Sequence, residues 1–139
     1  MSVQATVSPR VLIVEDEFLV ALQLEDILGE GGYQVLATIP DLGSLEQLAT
    51  APDLALVDLN LRDGLTGPEV ARKVAERFGA RVIYVTANPA QIDQPAPTAI
   101  GIVQKPFTRD SILAAIAFAL QGGTGGERPA DLVPIERAA

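Results

Sequence analysis

Asp58 follows a run of apolar residues at 54–57, which places a carboxylate at the end of a predicted strand. Four successive apolar residues are typical of a strand that is covered on both faces, as the strands of parallel sheets are. In open parallel sheets, ligands bind just beyond the carboxyl ends of the strands. Asp58 is therefore expected to lie at a sheet edge that binds a ligand.

Other polar residues follow apolar runs in the same way and could act together with Asp58. They are Glu15, Asp16, Thr86 and Lys105. The set offers carboxylates, a hydroxyl group and an amine. A carboxylate can act as the nucleophile in phosphoryl transfer if cations neutralise the charge on the phosphoryl oxygens. These residue types therefore suit phosphoryl transfer assisted by a metal ion.

The composition limits the chain to one domain and excludes several chemistries. The 139 residues include no cysteine and no histidine, which excludes disulfides, thiolate or imidazole catalysis and metal sites built from those ligands. The net charge of −8 argues against nucleic-acid binding. No apolar run is long enough to cross a membrane, and residues 1–9 lack the features of a signal peptide. We expect a cytoplasmic protein that binds no nucleic acid and no membrane.

Five apolar runs alternate with segments of helical spacing. The predicted strands cover 10–14, 33–37, 53–58, 81–86 and 99–104. The predicted helices cover 19–28, a short segment capped by Asp41, 68–78, and a last helix capped by Thr108. Three prolines lie between the last two strands, so the fourth helix is expected to be short or irregular. The alternation predicts an α/β fold with a doubly wound, five-stranded parallel sheet.

The two ends of the chain are expected to lie outside the domain. Residues 1–9 are predicted to be an N-terminal extension, 10–120 the domain, and 121–139 a flexible tail that is rich in glycine at its start. An alternative is that the tail docks on the domain through its apolar residues, Leu132, Val133 and Ile135.

Four motifs at the predicted strand ends resemble the receiver domain of two-component response regulators. They are Val-Glu-Asp-Glu at 14–17, Leu-Val-Asp-Leu-Asn at 56–60, Val-Thr-Ala at 85–87 and Lys-Pro-Phe at 105–107. Each motif alone is weak, but four in this order at the ends of the right elements form a specific signal. The resemblance covers roughly 10–120 and implies the flavodoxin-like sheet order 2-1-3-4-5.

The resemblance also implies roles for the residues at the strand ends. Asp58 is the expected phosphoacceptor, Lys105 the cation on a phosphoryl oxygen, and Thr86 the hydroxyl donor to another. The implied function is a stand-alone switch of a two-component phosphorelay that takes a phosphoryl group from a histidine kinase or phosphotransfer protein. Its output is expected to be binding of a downstream protein or diversion of phosphate, and we do not expect an enzyme.

Mg²⁺ is the expected cation, because it is a hard ion that prefers oxygen ligands and keeps several waters. Asp16 and Asp58 are expected to bind it directly and Glu15 through water. The main-chain oxygen of Asn60 is the third expected protein ligand.

Several alternatives remain open from the sequence. Asp16 and Glu17 could cap the first helix. Thr86 could be an ordinary strand residue and Lys105 a solvated lysine. The chain could also be a receiver-like docking module that phosphate does not regulate. A phosphatase of the haloacid-dehalogenase type is less expected, because that family needs a second aspartate where this sequence has Asn60, and an amide cannot transfer the proton.

One departure from the receiver pattern concerns signalling. Many receivers carry a tyrosine or phenylalanine three residues before the lysine, where this sequence has Ile102. At this position no aromatic ring can therefore swing inward when Thr86 moves. We expect the switch to be a rearrangement of 88–98 instead.

Overall fold

The computed structural model describes residues 8–123 and 127–135. The strands are β1 (Arg10–Val14), β2 (Gln34–Ile39), β3 (Leu54–Val57), β4 (Arg81–Thr86), β5 (Ala99–Gln104) and β6 (Leu132–Val133). The α-helices are α1 (Phe18–Glu30), α2 (Gly67–Phe78) and α3 (Arg109–Leu120). Two 3-10 helices cover Gly43–Gln47 and Pro89–Gln91. The predicted N-terminal extension at 1–9 lies mostly outside the described residues.

The six strands form one sheet in the order β2-β1-β3-β4-β5-β6. The first five strands are parallel, as predicted, whereas β6 runs antiparallel to β5. Two apolar cores cover the two faces of the sheet. One contains the inward side of α2 with Val70 and Val74, and the other contains α1 and α3 with Leu28 and Ile116. The strands between them are almost completely buried, which explains their continuous apolar runs.

The helix boundaries follow the predicted signals with some differences. Gly79 ends α2 in the left-handed conformation with φ 65°, and Thr108 Oγ1 caps α3 by accepting the Ser111 N–H at 3.0 Å. The segment after Asp41 is a 3-10 helix rather than an α-helix. Among the described residues, no helix has the length and apolar content needed to cross a membrane.

The connection between β4 and β5 contains no α-helix, only the 3-10 helix Pro89–Gln91. This agrees with the predicted short or irregular fourth helix, because the prolines of the segment lack the N–H groups that a longer helix needs.

The tail differs from the flexible segment predicted over 121–139. Leu132 and Val133 add β6 to the sheet, so the docking alternative describes these residues correctly. Leu132 is 1% exposed and belongs to the core on the α3 face. Residues 124–126 and 136–139 of the predicted tail lie outside the part of the chain that the structure describes.

Candidate functional site

The carboxyl ends of four neighbouring strands meet at one edge of the sheet. The register places the last residues of β1 and β3, Val14 and Val57, opposite each other. Thr86 at the end of β4 lies opposite Gln104 at the end of β5. The residues that directly follow these strand ends include Glu15, Asp58 and Lys105. The parallel strands therefore bring together residues that are far apart in sequence.

Lys105 bridges two carboxylates at this edge. Its Nζ donates to Oε1 of Glu15 at 2.7 Å and to Oδ2 of Asp58 at 2.9 Å. The three side chains are shielded from water, with 16% of Lys105, 10% of Asp58 and 1% of Glu15 exposed. The other oxygen of Asp58, Oδ1, accepts the backbone N–H of Leu59 at 2.7 Å. Each oxygen of Asp58 thus has a hydrogen-bond donor.

Burial dominates the electrostatics of Glu15. The pKa of Glu15 is raised to about 7, and loss of water is the largest cause. The hydrogen bond and charge of Lys105 act to lower this pKa, the negative charge of Asp58 acts to raise it, and the Glu17 N–H acts to lower it. Burial acts to lower the pKa of Lys105, but the hydrogen bonds and charges of Glu15 and Asp58 outweigh it and raise that pKa. Lys105 is therefore held in its charged form between two carboxyl groups.

Glu15, Asp16 and Asp58 form an acidic cluster that suits a small divalent cation. Each offers a carboxylate oxygen, and these oxygens lie within 4.8 Å of one another. Asp16 is exposed, so the cluster opens to solvent at this residue. Hard carboxylate oxygens in such a group are the ligands that Mg²⁺ prefers, together with water. The donor set therefore fits Mg²⁺.

Glu17 does not act as a side-chain cap of α1. It occupies the N-cap position, but its side chain accepts no capping hydrogen bond. The interpretation of Glu17 as a helix cap is thus not supported. The Asp16 carboxyl group belongs to the acidic cluster.

Thr86 and Asn60 connect the site to the segment between β4 and β5. Thr86 is fully buried, and its Oγ1 accepts the N–H of Asn88 at 3.0 Å. Asn60 Nδ2 donates to Oε1 of Gln91 at 2.9 Å. The N–H of Lys105 donates to the main-chain oxygen of Thr86 at 3.0 Å. The 3-10 helix Pro89–Gln91 is therefore tied at both ends to predicted site residues.

Gly67 supports the site and is absent from the predicted site residues. A Cβ atom at this position would lie 1.9 Å from the main-chain oxygen of Asp58 and 2.5 Å from Cα of Leu59. The start of α2 thus packs directly on the backbone of Asp58. The Gly-Pro pair predicts a helix start here, which is correct, but that local signal does not reveal what the helix start touches.

Another set of contacts fixes the loop that follows Asp58. Arg62 Nε donates to Oδ2 of Asp41 at 3.0 Å, and Arg62 Nη2 donates to the same oxygen. The hydroxyl and N–H groups of Ser44 donate to Oδ1 of Asp41 at 2.6 and 2.8 Å. The bonds from Ser44 and then from Arg62 lower the pKa of Asp41 to about 2. Asp41 therefore holds the loop as an ionised carboxylate.

Three apolar side chains are exposed beside the acidic cluster. Phe18 is 75% exposed, Leu19 77% and Leu22 43%, and we call them the α1 patch. Phe18 and Leu22 line a cavity of about 240 Å³ that also touches Glu15 and Asp16. Scattered single apolar residues are common on surfaces, but these three share one helix end next to the site.

Known proteins resemble this chain over most of its length. The family profile described as response regulator receiver domain matches residues 11–117. The phyllosphere-induced regulator PhyR of Methylorubrum extorquens is 30% identical over 122 residues, which cover 84% of this chain and 45% of PhyR. The chain spans about half the length of the curated relatives it matches.

Solved structures share the fold. The receiver domain of PhyR from Erythrobacter litoralis has a TM-score of 0.74 and 31% identity, covering 86% of this chain and 95% of that chain. The anti-anti-sigma factor PhyR from Bartonella quintana has a TM-score of 0.67 and 28% identity, covering 86% of this chain and 50% of that chain. The match thus covers nearly all of the isolated receiver domain and about half of the longer protein.

Proposed function

The chain belongs to the response regulator receiver domain family, and on this premise we propose that it is a phosphorylation-dependent switch of a two-component phosphorelay. Asp58 is the proposed phosphoacceptor. The donor is a phosphohistidine of a histidine kinase or phosphotransfer protein. The observation that carries the proposal is the contact of Lys105 with both Asp58 and Glu15, in which the Asp58 carboxylate lies beside a cation.

In the proposed reaction, a carboxylate oxygen of Asp58 attacks the phosphorus of the phosphohistidine. The O–P bond forms while the N–P bond breaks, and the electron pair of the broken bond returns to the imidazole nitrogen of the donor. The ammonium group of Lys105 then moves from Asp58 to a phosphoryl oxygen, because it is compact and is carried by a flexible side chain. The hydroxyl of Thr86 donates to another phosphoryl oxygen.

Mg²⁺ is the cation that we propose for the acidic cluster, with Asp16 and Asp58 as direct ligands. Glu15 is the proposed ligand through water, and the main-chain oxygen of Asn60 is the third protein ligand. When bound, Mg²⁺ supplies positive charge that offsets the charge on the phosphoryl oxygens. The exposure of Asp16 supports entry of the ion from the solvent side.

The α1 patch is the proposed docking surface for the phosphoryl donor. It shares a cavity with Glu15 and Asp16, so a helix or loop that covers the patch brings a donor side chain to the acidic cluster. Exposed apolar area next to a polar site is typical of a protein-binding surface.

The proposed output is binding of another protein, or diversion of phosphate within the relay. The name anti-anti-sigma factor, which a similar structure carries, describes a protein that acts on another protein. From this name we infer only that the output is binding of another protein. The proposed chemistry of this chain is its own phosphorylation and dephosphorylation, with no other substrate.

Intact-mass spectrometry tests the phosphoacceptor. The full chain is treated with acetyl phosphate and Mg²⁺, and separately with a phosphorylated histidine kinase from the same source. The mass of one phosphoryl group should appear and should be lost in Asp58→Asn. The matched control is Asp53→Asn, at the opposite end of the same strand, which should be phosphorylated normally. A phosphoryl group that persists in Asp58→Asn would exclude Asp58 as the acceptor.

A further inference from the structure

The edge of β5 is shaped to accept an added strand. A Cβ atom at Gly101 would lie 2.7 Å from Cδ1 of Leu132, 2.8 Å from its Cγ and 2.8 Å from the main-chain oxygen of Val133. All three of these nearest atoms belong to β6. Gly101 therefore leaves a notch in β5 that the side chain of Leu132 fills, and any larger residue would block it.

Few interactions hold the C-terminal segment, residues 127–135, in this notch. β6 pairs with β5 over two residues only, Ile102 with Val133 and Val103 with Leu132. Val133 remains 43% exposed. Arg128 adds a hydrogen bond from its Nη1 to the main-chain oxygen of Ile100 at 3.2 Å. The Arg128 guanidinium also lies over the Phe118 ring at 5.5 Å from its centroid, and Ile135 packs against the core on the α2 face. A two-residue ladder with these side-chain contacts can open locally while the rest of the sheet stays folded.

The segment also borders a cavity whose far wall belongs to the β4–β5 connection. The cavity has a volume of about 350 Å³, with Pro134 and Ile135 on one side and Pro89 and Ile92 on the other. Ile102 lines it between the two. The C-terminal segment and the β4–β5 connection thus face each other across this cavity.

This same 3-10 helix is tied to the phosphorylation site. Gln91 accepts from Asn60, and the N–H of Asn88 donates to the hydroxyl oxygen of Thr86. A phosphoryl group on Asp58 carries a charge of about −1.5 to −2 and attracts the Thr86 hydroxyl. Redirecting Thr86 would break the bond that positions Asn88 and so shift the cavity wall that faces the C-terminal segment.

We propose that the edge of β5 is a strand-acceptor surface that residues 127–135 cover in the unphosphorylated protein and leave upon phosphorylation. The partner that it then accepts is an extended peptide segment of a downstream protein, antiparallel to β5, with a leucine-like side chain in the Gly101 notch. Main-chain hydrogen bonds supply the affinity of such strand addition and the notch supplies the selectivity. The proposal rests on the proposed function, because Asp58 phosphorylation drives the release.

Hydrogen exchange of the full chain, with and without beryllofluoride and Mg²⁺, tests the release. Beryllofluoride should change the exchange at 58–60 and 88–92 and speed exchange in 127–135 by about tenfold or more. Gly101→Ala is the reference for the released state, because its added methyl group meets only β6 among its three nearest atoms. It should show fast exchange in 127–135 even without beryllofluoride.

A change at 58–60 with unaltered exchange at 127–135 would overturn the inference and leave the proposed function intact. No change at 58–60 would overturn the proposed function and, with it, the phosphorylation-driven release. Slow exchange of 127–135 in Gly101→Ala would show that the notch does not hold the segment.

A synthetic peptide that copies 127–135 tests the acceptor surface. Added in excess to the beryllofluoride-bound full chain, it should shift the amide resonances of 99–104 in a saturable way. The matched peptide with aspartate in place of Leu132 should not, because a carboxylate cannot enter the apolar notch. Equal shifts with both peptides would overturn the proposed recognition through the notch.

Discussion

The ammonium nitrogen of Lys105 lies 2.9 Å from Oδ2 of Asp58, although 47 residues separate the two along the chain. The contact joins the end of β5 to the end of β3, across β4 between them. It forms because all three strands are parallel and end at the same edge of the sheet. Lys105 therefore contacts the proposed nucleophile without belonging to the acidic cluster that suits a metal.

Substitution of Lys105 should separate metal binding from phosphorylation. Lys105→Ala should keep Mg²⁺ affinity but slow phosphorylation by about 10–100-fold, the loss expected for a hydrogen bond to a charged group. The rate of mass gain with acetyl phosphate measures the effect, and an Mg²⁺ titration of the same variant confirms that the site is folded. The control is the other lysine of the sequence: Lys73→Ala, on α2, should behave as wild type. Phosphorylation of Lys105→Ala at the normal rate would contradict the proposed role.

Asp16 should control Mg²⁺ affinity. Asp16→Ala removes one of the two proposed carboxylate ligands and should weaken Mg²⁺ by at least about tenfold. Amide shifts of residues 15–17 and 58–60 during a titration give the affinity. Glu17→Ala is the control, because Glu17 is adjacent, acidic and outside the cluster. If both substitutions weaken Mg²⁺ binding equally, the general negative charge attracts the ion and Asp16 is not a specific ligand.

Gly67 should be required for the position of Asp58. Gly67→Ala places a methyl group against the Asp58 carbonyl, where the backbone must shift, and should reduce the free energy of unfolding by about 1–3 kcal/mol. Urea unfolding measures this loss. The control is Gly29→Ala on α1, which meets no atom within 4 Å and should not destabilise the protein. A fully stable Gly67→Ala variant would contradict the close approach of α2 to Asp58.

The Asp41 carboxylate should make stability depend on pH in the acid range. Its pKa is lowered in the folded protein to about 2. An acid with a lowered pKa stabilises the fold above its ordinary pKa of 3.8 and loses that contribution as the pH falls through about 2. The difference in unfolding free energy between wild type and Asp41→Asn should therefore be constant above about pH 4 and shrink towards pH 2.

The Ser44 and Arg62 contributions to this effect can be told apart. The hydrogen bond from the Ser44 side chain is the largest cause of the lowered Asp41 pKa. Ser44→Ala and Arg62→Gln should therefore each reduce the acid-range dependence, because each removes a donor that lowers the pKa of Asp41. A variant that keeps the full acid-range dependence of the wild type would show that its residue does not contribute.

The central sheet could be predicted from the sequence because its signals are local. The β1 run at 10–14 is predicted with the observed bounds, and Asp58 follows β3 directly. Strands that are buried on both faces must be apolar throughout, and the polar residue after each one marks the functional edge. The contacts of Lys105 with Glu15 and Asp58 follow from that shared edge.

Features that depend on tertiary packing could not be predicted in the same way. β6 has only two residues, too few for a periodic pattern, and its position depends on the notch at Gly101. From the sequence alone, a glycine within a strand predicts only that the strand is less stable. Likewise, α1 has an apolar pattern that includes Leu19 and Leu22, yet the structure leaves both exposed. The sequence pattern alone does not distinguish a core contact from a binding surface.

The short ladder of β6 has a consequence for solubility. An uncovered strand edge carries unpaired N–H and C=O groups and invites pairing between copies of a protein. Here the net charge of −8 opposes close approach of two copies. Electrostatic repulsion should therefore oppose self-association through an opened β5 edge at low salt. Because added salt screens this repulsion, an opened edge should be most prone to aggregate at high ionic strength.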